Sequence, residues 1–328
     1  MNLNHIDYFT CNFDDTTVED INKDFYKERD MLGGWTVSNR HPNLGCKRHT
    51  ASTVLPKGKL STATPSDLRA MLEDTIKRYA TDNNVIFLSG GKDSTALAHA
   101  FKSLDIPFVA VSLYSSISAT TEYNIVQQIA NTMQLDVRYY KLDTIPKVDF
   151  KYWIENPYTA KALAIKDLGL ENYTLFTGEI GTGEMQVNQS LQYTAMNGYD
   201  PKALSYWHVN VCGSYRRINS VLPLKDDPIY LECVDHFFNR FTQWDHHPDI
   251  LNRVMFSRLQ DEGAYRLFNY GLDDLKWVHP FAESNFIEAC TNMPSIYKGK
   301  KNLYREMYNN LTDIPWRYPK SGLGIPTM

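Results

Sequence analysis

Apolar positions along the chain change period several times, and each change marks a boundary between elements. The first strong helical stretch opens at Thr64-Pro65-Ser66-Asp67: a capping hydroxyl, a proline suited to the first helical position, and an acid three residues beyond the cap. Behind it, Leu68, Met71, Leu72, Ile76 and Tyr79 fall on one helical face. Val85-Ile86-Phe87-Leu88 is a continuous apolar run, suited to a strand covered on both faces, and it leads directly into Ser89-Gly90-Gly91. Helical spacing returns at Leu97, Ala100, Phe101 and Leu104. Phe108 to Leu113 reads as a second buried strand, Thr121 to Met133 as a helix, Val137 to Leu142 as a third strand and Tyr173 to Phe176 as a fourth. Alternation of strand and helix predicts an α/β fold with a doubly wound parallel sheet. From residue 205 aromatic residues accumulate and the pattern reads as mainly helical.

The first 60 residues differ, being rich in Asn, Asp, Gly, Pro and Thr, with turn signals at Gly33-Gly34 and His41-Pro42-Asn43. They read as a short irregular or β-rich cap over 1–60, ahead of one large domain over 61–328. A chain of 328 residues can bury a sizeable core, and its 43% apolar and 22% charged residues are ordinary for a globular protein. The net charge of -4 gives no global attraction to nucleic acid or anionic lipid. Lys298, Lys300 and Lys301 leave a local basic patch open, with Tyr297, Tyr304 and Tyr308 close by in sequence; such residues can stack bases but more commonly form amphipathic core and rim, so nucleic acid is not the expected partner. Cys11, Cys46, Cys212, Cys233 and Cys290 form no close pair, which fits reduced thiols in a cytoplasm. The opening residues lack the basic end and apolar run of a secretory signal, and no stretch approaches the roughly 18 apolar residues of a membrane span.

The candidate chemistry lies in Ser89-Gly90-Gly91-Lys92-Asp93-Ser94, between a strand and a helix. Glycines let backbone N–H groups approach an anion, and a helix N-terminus adds partial positive charge. Ser89 and Ser94 can donate hydroxyl hydrogen bonds to the same phosphates. Asp93 would repel a polyphosphate unless a cation lay between them, so it reads as a Mg²⁺ ligand. The ordinary alternative is a glycine turn whose aspartate caps a helix. The spacing is neither GxxxxGK[ST] nor GxGxxG.

These residues resemble the pyrophosphatase loop of the N-type ATP pyrophosphatases, the PP-loop superfamily, with its adenine nucleotide alpha hydrolase-like fold. The rest of the chain resembles the synthetase domain of asparagine synthetase and its relatives, the β-lactam synthetases and lasso-peptide cyclases. Leu55-Pro56-Lys57-Gly58 is similar to the family's LPPG stretch, Thr177-Gly178-Glu179 to its SGE turn, Gly271-Leu272 to HGLE, and Pro280-Phe281-Ala282-Glu283 to PFLD. Lys301 to Arg305 is similar to its K-x-x-L-R helix, and Trp316 to Pro326 to its RPK-x-GFG-x-P tail. The resemblance implies that Leu88, Val111 and Gly178 line an adenosine pocket, and that Ser89, Gly90, Gly91, Asp93 and Ser94 hold pyrophosphate and metal. It further implies that Glu179 takes a proton from the attacking nitrogen and that Lys320 neutralises developing negative charge. ATP and Mg²⁺ are the implied cofactors.

Departures from the family pattern are equally specific. Where the family reads SGEGxDE, this chain reads Thr177-Gly178-Glu179-Ile180-Gly181-Thr182-Gly183-Glu184, leaving Glu184 as the nearest replacement for the second metal carboxylate. Glu283 stands in place of the PFLD aspartate. Residues 1–60 are too few for a glutamine-hydrolysing domain, and Asn2 occupies the position of its nucleophilic cysteine. Glutamine is therefore not the expected nitrogen source; ammonia or an amine is, with a separate glutaminase or carrier partner as an open alternative. Asp245, His246, His247 and Asp249 are ligand-type residues, but adjacent histidines diverge on a helix, so a loop face is the simpler account.

Three functions follow. The first is an AMP-forming carbon–nitrogen ligase acting on a small-molecule carboxylate. The second keeps the loop chemistry but activates a nucleobase or nucleotide acceptor. The third is a nucleotide-binding module without turnover.

Overall fold

The computed structural model describes residues 8–11, 46–49, 60, 62–114, 121–141, 157–181, 198–214, 226–243, 248–249, 252, 275–295, 297–298 and 302–308. Strands β1 (Tyr8–Cys11) and β2 (Cys46–His49) pair antiparallel as a two-stranded sheet. Helix α1 (Pro65–Tyr79) starts as its sequence predicts: the Thr64 side chain accepts from Asp67 N–H at 3.3 Å while Thr64 N–H donates to Asp67 Oδ2 at 2.7 Å. The main-chain bond from Thr64, assisted by its hydroxyl, holds the Asp67 carboxyl below its ordinary range.

The central sheet contains β3 (Asn84–Phe87), β4 (Val109–Tyr114), β5 (Val137–Lys141), β6 (Thr174–Phe176) and β7 (Lys276–Val278) in the order β5-β4-β3-β6-β7. All of its pairings are parallel. Helices α2 (Lys92–Ser103), α3 (Thr121–Met133) and α4 (Pro157–Asp167) lie between successive strands along the chain, confirming the doubly wound α/β reading. The chain begins in the middle of the sheet, winds outward through β4 and β5, then returns to the other side of β3. That reversal leaves a crevice at the carboxyl ends of β3 and β6, the place where such sheets hold ligands.

Both faces of β3 are covered. Ile86 and Leu88 join a large cluster with Leu72 and Ile76 of α1, Leu97 and Phe101 of α2, and Phe286 and Ile287 of α7 (Ser284–Asn292). Val85 and Phe87 face the opposite side, against Val111, Leu175 and Ile165 of α4. Period-two alternation thus sends successive apolar residues into two separate cores. Phe101 links the first core to the sheet, with edge contacts to Phe108 at 5.3 Å and Phe176 at 4.9 Å between centroids.

The later part of the chain contains α5 (Pro201–Ser214) and α6 (Pro228–Gln243), which pack on one another, then α7 and the short α8 (Asn302–Met307). The mainly helical reading holds, with one strand among the helices: Lys276–Val278 is the fifth strand of the sheet. Three residues are too few to show a period of their own, and this strand forms because β6 presents an unpaired edge. The open basic patch does not include Lys298, which is buried and donates from Nζ to Asn252 Oδ1 at 2.7 Å. Tyr304 and Tyr308 are buried too, which removes them as base-stacking surfaces. Among the described residues no helix is long and apolar enough to cross a membrane.

Candidate functional site

The two glycine turns singled out in the sequence meet at the crevice. The first follows β3, whose pairing continues one residue beyond the strand through Leu88 N–H to Val111 O at 2.8 Å. Ser89 then braces the turn: its Oγ accepts from Gly91 N–H at 3.1 Å and lies 3.1 Å from Ser94 Oγ. Ser94 Oγ also accepts from Ser89 N–H at 3.1 Å and reaches Gly91 O at 3.1 Å. Thr95 ties the first turn of α2 to the same carbonyl, through Oγ1 at 2.7 Å and N–H at 3.3 Å. Gly91 is the N-cap and brings no side-chain cap, leaving this helix end in the form that suits an anion.

The second turn follows β6, where Thr177 N–H donates to Val278 O at 3.1 Å. Gly178 then passes so near α2 that a Cβ there would lie 2.6 Å from Asp93 Cβ and 2.9 Å from Ser94 N. Only glycine allows this approach. Ile180 takes a left-handed conformation, φ 63°. For a β-branched residue this is a true outlier, with a cost of about 1–3 kcal/mol offset by burial of the side chain. Gly181 is equally confined: a Cβ would meet Phe281 Cγ at 3.0 Å, Tyr304 Oη at 3.1 Å and Asp93 Oδ1 at 3.2 Å. Tyr304 of α8 donates its hydroxyl to Asp93 Oδ1.

A chain of polar contacts leads away from Glu179. Its Oε1 receives Lys161 Nζ of α4 at 3.1 Å, with both side chains only 16% exposed. Lys161 Nζ also stands 5.6 Å from the centre of the Phe87 ring. Glu179 N–H donates to Thr177 Oγ1 at 3.3 Å, and that hydroxyl is 2.9 Å from His279 Nδ1. Burial pushes the His279 imidazole down to about 3; the nearby Glu179 raises it and Lys161 lowers it, and burial outweighs both. His279 is thus a neutral, internal hydrogen-bonding group at neutral pH.

Of the residues picked out by sequence, the fold gathers Ser89, Gly90, Gly91, Asp93, Ser94, Gly178 and Glu179 around one crevice. Leu88 and Val111 are adjacent through their main chains, but their side chains are buried in opposite cores, so only backbone groups there can face a ligand. Glu184 and Lys320, the proposed second metal carboxylate and the proposed cation, lie outside the described residues, as do His246 and His247. Asp249 serves the interior, accepting from Asn252 N–H at 3.1 Å and Ser295 N–H at 2.8 Å. Sequence reasoning did not assign Lys161, His279 or Tyr304 to the site. Lys161 sits in no local motif; His279 directly precedes the Pro280–Glu283 segment and Tyr304 lies within the Lys301–Arg305 segment, but nothing local in either points to the turn that the side chain reaches.

The donor set fits a polyphosphate with a hard cation. Two hydroxyls, a helix N-terminus and one carboxylate converge, and Mg²⁺ characteristically takes one or two protein carboxylates together with phosphate oxygens and water. Among the described residues no group of three or more His, Cys, Asp and Glu gathers as an all-protein metal cage.

No family model matches the chain, and no curated protein matches it. Among solved structures it is similar to the U34-tRNA thiolase NcsA from Methanococcus maripaludis with its [4Fe-4S] cluster. The identity is 15% and the TM-score 0.30, over 64% of this chain and 80% of that one.

Proposed function

We propose that this chain is an ATP-dependent, AMP-forming carbon–nitrogen ligase whose pyrophosphate cradle is the turn after β3. The observation that carries the reading is the approach of Gly178 to Asp93 and Ser94. It sets the turn after β6 against the turn after β3 at the topological switch point, so one ligand can touch both. The motif order shared with the asparagine synthetase family supports the finer assignment, since fold alone does not fix function.

In this reading a substrate carboxylate oxygen bonds to the α-phosphorus of ATP, and the bond from that phosphorus to the bridging oxygen breaks, releasing pyrophosphate. Ammonia or an amine then bonds to the acyl carbon, the carbon–oxygen bond to AMP breaks, and the nitrogen gives up a proton. Backbone N–H groups at the start of α2 and the Ser89 and Ser94 hydroxyls hold the departing pyrophosphate. Mg²⁺, when bound, supplies charge neutralisation between the phosphates and Asp93. Glu179 is the proton acceptor, held in place by Lys161. Lys320 and Glu184 are assigned their roles by the family resemblance alone.

Exchange of labelled pyrophosphate into ATP, run against a panel of carboxylates, tests the proposal. The expected result is carboxylate-dependent exchange that Asp93→Ala abolishes, with AMP and pyrophosphate as products. ADP and phosphate as products would exclude the reaction. Release of pyrophosphate driven by transfer RNA or a free nucleobase, with every carboxylate inert, would move the acceptor to the nucleobase class. ATP binding without turnover in any mixture would leave a nucleotide-binding module.

A further inference from the structure

Asp93 is placed to hold a cation, yet its carboxylate is already engaged. Tyr304 comes from α8, far along the chain from α2, and donates its hydroxyl to Asp93 Oδ1. The phenol ring is 1% exposed and packs against Phe281 at 6.5 Å between centroids, so it has little freedom to swing away. Three groups from separate parts of the sequence meet here. Gly181 lines one side of the pair: the Cβ it lacks would lie 3.1 Å from Tyr304 Oη and 3.2 Å from Asp93 Oδ1.

We propose that Tyr304 is a positioning residue for the cation of the pyrophosphate site: its hydroxyl donates to Asp93 Oδ1 and fixes the orientation of the carboxylate that would hold the metal. The inference rests on the reading of Asp93 as a metal ligand given above. Its physical basis is general. A ligating carboxylate with free torsions must lose that freedom when it binds metal, whereas one already anchored by a buried hydrogen bond has lost it on folding. Loss of such an outer partner typically costs about 10–100-fold in metal affinity. Tyr304 also links occupancy of the site to the packing of α8 on the main core, since Leu303 and Met307 of that helix are buried in the same cluster.

The test measures the affinity of the full chain for a non-hydrolysable α,β-methylene ATP analogue, with Mn²⁺ and again with chelator. The ratio of the two affinities is the metal-linked increment, and Mn²⁺ binding is read independently by electron paramagnetic resonance. Tyr304→Phe keeps the buried ring and removes only the hydroxyl. It is expected to reduce the increment about 10-fold or more, leaving metal-free nucleotide affinity within twofold of the parent. Gly181→Ala is the second variant: it keeps the phenol but presses a methyl group against both Oη and Oδ1, displacing the pair, and a reduction in the same direction is expected. An undiminished increment in both variants, with Asp93→Ala losing it, would overturn the role of Tyr304 while leaving the pyrophosphate site standing. An increment that survives Asp93→Ala would overturn both.

Discussion

Replacing Gly178 by alanine tests the meeting of the two turns, on which the site depends. The added Cβ would fall 2.6 Å from Asp93 Cβ, 2.9 Å from Asp93 C and 2.9 Å from Ser94 N. Carbon atoms in contact rest at about 3.5–4.0 Å, so relief requires a displacement of roughly 1 Å. Two of the three obstructing atoms are backbone in the first turn of α2, and that turn is pinned by Thr95 to Gly91 and by the Ser89–Ser94 hydroxyl web. It cannot retreat freely on the far side, because Gly90 already sits where a Cβ would be 3.0 Å from Ile125 Cγ2 of α3. Overpacking of this kind costs about 1–3 kcal/mol. In domains of 150–250 residues each kcal/mol lowers the melting midpoint by about 2–4 °C. The functional loss should exceed the stability loss, since a shift near 1 Å in a positioning group costs on the order of 100-fold in rate. The assay pairs thermal unfolding with pyrophosphate exchange for the parent, Gly90→Ala and Gly178→Ala. Gly90→Ala should be milder, because Ile125 is a side chain and can yield. A Gly178→Ala protein with parental midpoint and exchange within twofold would refute the contact between the turns.

Two further outcomes follow from the polar chain behind Glu179. Because His279 is held down at about 3, against an ordinary 6.5, the unfolded chain binds more protons through that interval. Stability from the neutral imidazole is complete above about pH 6.5 and is lost as pH falls toward 3, at up to about 1.4 kcal/mol per pH unit. His99, held near 4 by burial and then by Arg69, adds in the same direction over the upper part of that range. His279→Asn, whose amide can still meet Thr177, should flatten the dependence of unfolding free energy on pH between about 6 and 4.5; identical slopes in parent and variant would contradict the burial argument. Lys161→Met should destabilise by about 1–3 kcal/mol, because it removes the cation from a partly buried Glu179 carboxylate. Adding Glu179→Gln should recover part of that loss in chemical denaturation, and a double variant no more stable than the single would show the pair to be uncoupled.

Much of the fold is present in the local pattern. The helix over Thr121–Met133 has the bounds its periodicity predicts, and Thr64 and Asp67 form the predicted capping box. The strands at Val109–Tyr114 and Thr174–Phe176 fall within a residue of their apolar runs. These elements are legible because their determinants, a cap, a period or a continuous apolar run, lie within a few residues of one another. The glycine turn after β3 is legible for the same reason: strand, loop and helix N-terminus are contiguous.

What tertiary structure alone decided is which distant groups meet those turns. The strand at Lys276–Val278 exists because an edge of β6 awaited a partner, and no periodic signal of its own could announce it. Tyr304 reaches Asp93 across much of the chain, and Lys161 and His279 come to the turn after β6 from different elements. Apolar burial, summed over many residues, fixes these meetings. Sequence reports the chemistry of each side chain and its local geometry, but only the packed core determines which carboxylate receives which hydroxyl or ammonium.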